Sequence, residues 1–287
     1  KEAWIEPVVD RQAKAISYRI RHGGTKAEIT AAAEGTKAGR GANFRCLMSD
    51  TAITPDYVKS NGRAGKMGQT LIAIVAEGHR TRAYVAPTEA HENLALSAKP
   101  DWKPETSLPN DPRNFWTVDY GLTTFGDLFT DRQLVALNCF SDLVQEARNQ
   151  IETDALAVGL PSETSPLRDG GTGAKAYAEA VSVYLAFAIS KLTNLGSTVT
   201  SWMSDRGALR ETFARQSIPM VWDYAEVNFF SNSGGNWSTP VDKISKAVAD
   251  FPASGFGDVK QVNAGEVNYP SGAVISSDPP YYDNIGY

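Results

Sequence analysis

The stretch "TDRQLVALNCFSDLVQEARNQI", from Thr130 to Ile151, limits the possible folds more than any other part of this chain. Its apolar residues Leu134, Leu137, Phe140, Val144, Ala147 and Ile151 recur every three or four positions, the period of one helix face. Thr130 and Gln133 have the spacing of a capping box, which fixes where that helix starts. Cys139, between Leu137 and Phe140, is expected on the packed side. A second segment, Ala176 to Leu195, is apolar on nearly every side and closes at Gly196, so a buried partner helix is predicted there. "SDRGALRETFARQ" reads as a further, more polar helix.

Elsewhere the period changes to two. "AISYRIRHG" alternates Ile16, Tyr18 and Ile20 with Ser17, Arg19 and Arg21, as a half-buried strand does. "QTLIAIVAEG" and "TRAYVAPT" flank Gly78-His79 and predict a hairpin. The intervening run from Gly35 to Gly68 is rich in Gly, Lys and Arg, has no sustained period and reads as loop. Residues 97–120 hold four prolines and read as a surface connector. From Pro219 short elements alternate. "IPMVWDYAEV" precedes the polar loop "NFFSNSGGNWS"; Thr239 and Pro240 open a helix with Ile244, Ala247, Val248 and Phe251 on one face; "DVKQVNA" and "SGAVISS" read as two strands. The predicted organisation is a β-rich basic region over 1–98, a connector and helical insertion over 99–218, and part of a doubly wound Rossmann-like α/β sheet over 219–287, mixed α/β overall.

Charge divides the chain. Residues 1–85 carry 14 Lys and Arg against 8 Asp and Glu, whereas residues 86–287 carry 14 against 25, within a net charge of −5. A polyanion such as DNA should therefore meet the N-terminal third, where Arg63 and Lys66 in "NGRAGKMG" are candidates for phosphate contact. The longest apolar run is too short to span a bilayer, the N-terminus lacks a signal-peptide layout, and only Cys46 and Cys139 occur, so no membrane and a reducing cytoplasm are expected. His22, His79 and His91 are widely spaced and read as solvated loop or turn residues.

The chain closes on "ISSDPPYYDNIGY", where Pro279 and Pro280 stop a strand abruptly because proline has no amide hydrogen to continue a ladder. Such a stop can build a cradle for a flat ring. The Asp278 carboxylate and the Pro279 carbonyl can each accept one N–H of an exocyclic amine and turn its lone pair toward a methyl donor. Pro280 stiffens the turn and Tyr281 can stack on the ring, which contributes about 1–3 kcal/mol per base.

The tetrapeptide resembles motif IV of the S-adenosylmethionine-dependent amino-methyltransferases that modify adenine in DNA. Together with "NGRAGKMG", "YGLTTFGDLFTDRQLVALNCFSDLVQEAR" and "RQSIPMVWDYAEVNFFSNSGGNW", it is similar to a set of large bacterial adenine-specific DNA methylases with a zinc-ribbon insertion, some found in anti-phage islands. The resemblance implies methyl transfer from S-adenosylmethionine to a flipped adenine. It places Asp278, Pro279, Pro280 and Tyr281 at the catalytic position, Tyr282 and Asn284 beside the nucleic acid, and Asn228, Ser231, Asn236 and Asn263 near the methyl donor.

It also implies that the Gly-rich donor loop and the rest of the catalytic domain belong to other parts of the same polypeptide, since no Asp-x-Phe-x-Gly-x-Gly loop occurs here. Asn263 stands where the family usually has an acidic residue, and Asn228-Phe229-Phe230 replaces its Asn-Pro-Phe. In the ribbon-like stretch Cys46 lacks the second cysteine of a Cys-x-x-Cys pair, so zinc is not expected on this chain alone. Two other readings stay open: a related methyltransferase acting on RNA or protein, and a non-catalytic DNA-binding or defence-complex scaffold.

Overall fold

The computed structural model describes residues 3–79, 81–214, 217–252, 257 and 259–278. The chain divides into a larger unit, Lys1–Lys246, and a smaller one, Ala247–Tyr287.

The larger unit begins with strands β1 (Ala3–Asp10) and β2 (Ala15–His22), paired antiparallel from Ala3 opposite His22 to Asp10 opposite Ala15. The Asp10 carboxylate closes their turn by accepting from the Gln12 and Ala13 amides, both at 2.9 Å. Helix α1 (Lys26–Glu34) follows, with a Thr25–Glu28 capping box. The run expected to be loop is more ordered than its composition implies. It contains the small hairpin β3 (Phe44–Arg45) and β4 (Ala52–Ile53), then helix α2 (Pro55–Arg63). Thr54 caps α2 and Pro55 occupies its first turn, a start signal that the surrounding glycines obscure. The predicted hairpin is present as β5 (Ile74–Glu77) and β6 (Arg82–Val85), and helix α3 (Glu89–Leu96) follows it.

The connector is exposed over most of residues 97–113, with Trp102 63% exposed, but it is anchored at one point. Its Leu108 is buried with Leu128, Val199 and Ile218 in a core lined by Phe115, Val118 and Phe125. Helix α4 (Asp131–Ala157) starts at the predicted capping box, with Gln133 accepting from the Thr130 amide at 2.9 Å. Its Leu137 and Phe140 pack with Leu192 of helix α5 (Ala174–Thr193) and with Phe229 in a second core. Cys139 is exposed: it sits about 100° round the helix from Phe140, just outside the buried stripe. The α5 helix buries one face only, since Tyr177, Val183 and Phe187 remain about half exposed. The segment read as a polar helix, 204–216, is not helical over its described residues, 204–214: its first part closes a hairpin of β7 (Trp202–Met203) with β8 (Ala208–Leu209), and 210–214 are irregular. Gly207 turns the hairpin at φ 57, a left-handed conformation that glycine adopts without strain.

Helix α6 (Ser238–Ala249) forms as read, with Asn236 accepting from the Thr239 amide at 2.8 Å, although Val248 and Phe251 of its apolar face are exposed. Among the described residues no strand follows Leu209, so the predicted strands near Val262 and Val274 and the doubly wound sheet are absent from them. Among the described residues neither segment has a neighbouring strand to supply ladder hydrogen bonds, and Val259 and Val274 are 95% and 96% exposed. Among the described residues the architecture is mixed α and β: four separate two-stranded antiparallel sheets and a set of helices dominated by the α4–α5 pair. No helix among the described residues is long and apolar enough to cross a membrane.

One polar fork ties the larger unit together. Arg132 donates to both Glu226 carboxylate oxygens, at 2.9 and 2.7 Å, and to the Ala95 carbonyl at 3.1 Å. Thr130 donates to Glu226 at 2.7 Å, and Tyr224 donates to Gln69 at 2.6 Å. Replacing Glu226→Ala should strand the half-buried guanidinium and lower unfolding free energy by about 2–3 kcal/mol, measurable by urea denaturation; an unchanged midpoint would contradict this role.

Candidate functional site

A cleft of about 410 Å³ opens in the larger unit, lined by Lys37, Gly41, Lys59, Trp116, Asp119, Tyr120, Pro219, Met220 and Trp222. Three distant stretches of sequence form it. A parallel bridge between Phe115 and Ile218 sets the short 3₁₀ turn Trp116–Tyr120 beside Pro219 and Met220. Within that bridge the Ile218 amide donates to Asn114 at 2.6 Å and the Trp116 amide donates to Ile218 at 3.3 Å. A second bridge, Lys37 to Phe44, brings the basic loop to the rim.

The α2 helix then lies directly on the 3₁₀ turn, and glycines allow the approach. A Cβ on Gly62 would stand 2.3 Å from the Tyr120 carbonyl oxygen, and one on Gly121 would stand 2.3 Å from the Gly62 oxygen. Gly121 also has φ 90, so any side chain there is doubly disfavoured. This contact puts Lys59 and Arg63, one helical turn apart, over the Asp119 carboxylate, with Arg63 at 2.8 Å. The hydrogen bond from Lys59 holds the Asp119 carboxyl below the usual carboxylate range, and the same bond raises the Lys59 ammonium. Two cations share one carboxylate, so the cluster keeps a positive charge. Lys37 adds another and has no ion-pair partner among the described residues.

The aromatic side is equally organised. Trp222 meets Phe44 and Tyr120 edge-on, with centroids 5.4 and 5.1 Å apart, yet stays 41% exposed. Trp116 is 50% exposed, and the Lys59 ammonium lies 5.9 Å from the Tyr120 ring centre. The result is a fixed indole, a second accessible indole and a cationic rim.

Of the residues singled out in the sequence, Arg63 belongs to this cluster through Asp119, and Lys66 follows α2, exposed. Asn228, Ser231 and Asn236 serve their own loop. The Asn228 side chain accepts from the Phe230 amide at 3.0 Å, Ser231 bonds Ser233 at 2.9 Å, and Asn236 caps α6, while Phe229 is buried in the second core. Asn263 accepts from the Gly265 amide at 3.1 Å and donates to Glu266 at 3.0 Å. Asp278 lies in an exposed irregular segment, whereas Pro279, Pro280, Tyr281, Tyr282 and Asn284 lie outside the described residues. Around Cys46, the Ser49 hydroxyl and then the Ser49 and Met48 amides lower the thiol pKa, and no group of three or more metal-ligating side chains is found among the described residues.

Sequence reading missed Lys37, Lys59, Trp116, Asp119, Tyr120 and Trp222. The signal available was "NFWTVDYG" and "MVWDY", each placing Trp, Asp and Tyr within five residues in irregular, proline-flanked segments where indoles have little reason to be buried. No protein-family model, no curated protein and no solved structure matches this chain.

Two outcomes follow from the geometry. In an open helix Gly→Ala stabilises by about 1 kcal/mol. Gly62→Ala should instead destabilise by about 1–3 kcal/mol, through overpacking against Tyr120, and shift the indole emission maximum; a stabilised variant would refute the contact. Because the Asp119 pKa is lowered on folding, its contribution is present above about pH 4 and is lost as pH falls through the still lower folded value. The raised Lys59 pKa keeps the other half of the pair charged to about pH 10 and beyond. Cleft fluorescence should therefore stay flat through neutral pH and change only in acid, and Asp119→Asn should abolish that acid transition.

Proposed function

We propose that this chain is part of an S-adenosylmethionine-dependent methyltransferase that acts on the exocyclic amine of adenine in DNA. The observation that carries the reading is the tetrapeptide Asp278-Pro279-Pro280-Tyr281 at the end of an apolar segment. Asp278 and the Pro279 carbonyl would hold the amine hydrogens, leaving the nitrogen lone pair to attack the donor methyl carbon as the sulfonium bond breaks. The extra amine proton would then leave to solvent or to Asp278. Tyr281 would stack on the flipped base.

In this reading residues 259–278 supply strands to a Rossmann-like sheet whose other strands come from elsewhere in the same polypeptide. The apolar side chains exposed there, Val259, Val262, Val274 and Ile275, support it, since sheet partners would cover them. The basic N-terminal third and the cleft of the larger unit would face DNA. That cleft also favours a second reading, a DNA-binding scaffold without catalysis.

Transfer of labelled methyl groups from S-adenosylmethionine to unmethylated DNA separates the two. With the full-length polypeptide, Asp278→Ala should cut incorporation at least about a hundredfold; equal incorporation by both proteins would end the catalytic reading. This chain by itself should bind the methyl donor weakly, because Asn228, Ser231 and Asn236 are engaged by their own loop. Titration calorimetry checks this, and tight one-to-one binding would contradict it.

A further inference from the structure

We propose that the Trp116–Trp222 cleft is a binding site for single-stranded nucleic acid, taking an unpaired base between its aromatic walls and the adjoining phosphates on Lys37, Lys59 and Arg63. The proposal rests on the cleft alone and is independent of methyl transfer.

Four observations converge on it. The cavity, about 410 Å³, lies within the range of about 300–1,000 Å³ usual for clefts that hold small ligands, which leaves room for a base. Trp222 is braced by Phe44 and Tyr120, which fixes its ring before any ligand arrives and removes the entropy cost of ordering it on binding. Trp116 leaves half its surface in water at the same place, so a second ring is accessible to a ligand in the cleft. Finally, Lys59 and Arg63 share the single Asp119 carboxylate and Lys37 lines the same cleft, so the excess positive charge suits an anion next to the aromatic surface.

Together an aromatic platform and a cationic border match a nucleotide unit and match little else. An aliphatic ligand would not require the cations, and an acidic peptide would not require two indoles. Sequence tolerance is expected, because stacking accepts every base and no side-chain amide lines the cavity to read a base edge.

The test is fluorescence anisotropy of labelled twelve-residue oligomers on the purified chain without methyl donor. The probes are oligo(dA), oligo(rA), an abasic strand of the same length, a duplex and poly-glutamate. The expected order puts at least one of the two adenine strands ahead of the abasic strand, the duplex and the peptide; which adenine strand binds more tightly identifies the source as DNA or RNA. Binding should quench native indole emission. Trp222→Ala and Trp116→Ala should each weaken the preferred strand about tenfold to a hundredfold, and Lys37→Ala should reduce the slope of log affinity against log salt by about 0.7. Trp102→Ala, at an indole 63% exposed outside the cleft, should change nothing.

Circular dichroism shows whether Trp222→Ala stays folded, and the more exposed Trp116 provides the second test if it does not. An abasic strand bound as tightly as both adenine strands, or affinity unmoved by the two cleft tryptophan variants, overturns the proposal.

Discussion

The larger unit depends on what Arg132 and Glu226 hold together. The guanidinium and carboxylate meet through two parallel hydrogen bonds, the strongest geometry available to such a pair. Further bonds recruit the Thr130 hydroxyl at the start of α4, the Ala95 carbonyl in the last turn of α3, and Gln69, which also accepts from Tyr224. Four stretches far apart in sequence thereby share one polar node. Burial raises the Tyr224 pKa, with Glu226 adding to the effect, so that phenol keeps its proton and remains a donor to Gln69. The chain from residue 219 to 237 is irregular, and it is held by the node at Tyr224 and Glu226 and by Phe229 in the second core.

With that segment held, Trp222 faces the 3₁₀ turn at Tyr120, and the cleft forms without a regular sheet beneath it. Its rigidity comes from close backbone approach. Gly62 against Tyr120 and Gly121 against Gly62 leave no room for α2 to slide, so Lys59 and Arg63 are held over Asp119. A buried hydroxyl cluster does comparable work under the first core: Ser197 bonds Thr212 at 2.7 Å, and Thr200 lies 3.1 Å from Thr212, which satisfies groups that would otherwise be costly to bury. Polar contacts, more than sheet ladders, thus organise the irregular parts of this protein.

Local signals were legible wherever the cause is local. The capping box at Thr130 and Gln133, the stripe from Leu134 to Ile151 and the hairpin flanking Gly78 each reappear because helix period, cap chemistry and turn geometry act over a few residues. Reading failed where two local meanings compete. "SDRGALRETFARQ" has helix-forming composition, but Gly207 provides a left-handed turn and Trp202 pairs with Leu209, so a hairpin forms. The Gly-rich run hid α2 because glycine density masked the Thr54-Pro55 start. Cys139 shows that neighbours in sequence do not share a helix face.

By itself the sequence determined the helices α4, α5 and α6, the β5–β6 hairpin, the basic N-terminal third and the Asp-Pro-Pro-Tyr tetrapeptide, because these depend on residue type and short spacing. Only the tertiary structure decided that Lys37, Lys59, Trp116, Asp119 and Trp222 share a cleft, and that one face of α5 stays in water. Such groupings join residues up to 185 positions apart in the chain, from Lys37 to Trp222. They are set by which surfaces exclude water together and which backbones can touch, and a one-dimensional pattern carries neither.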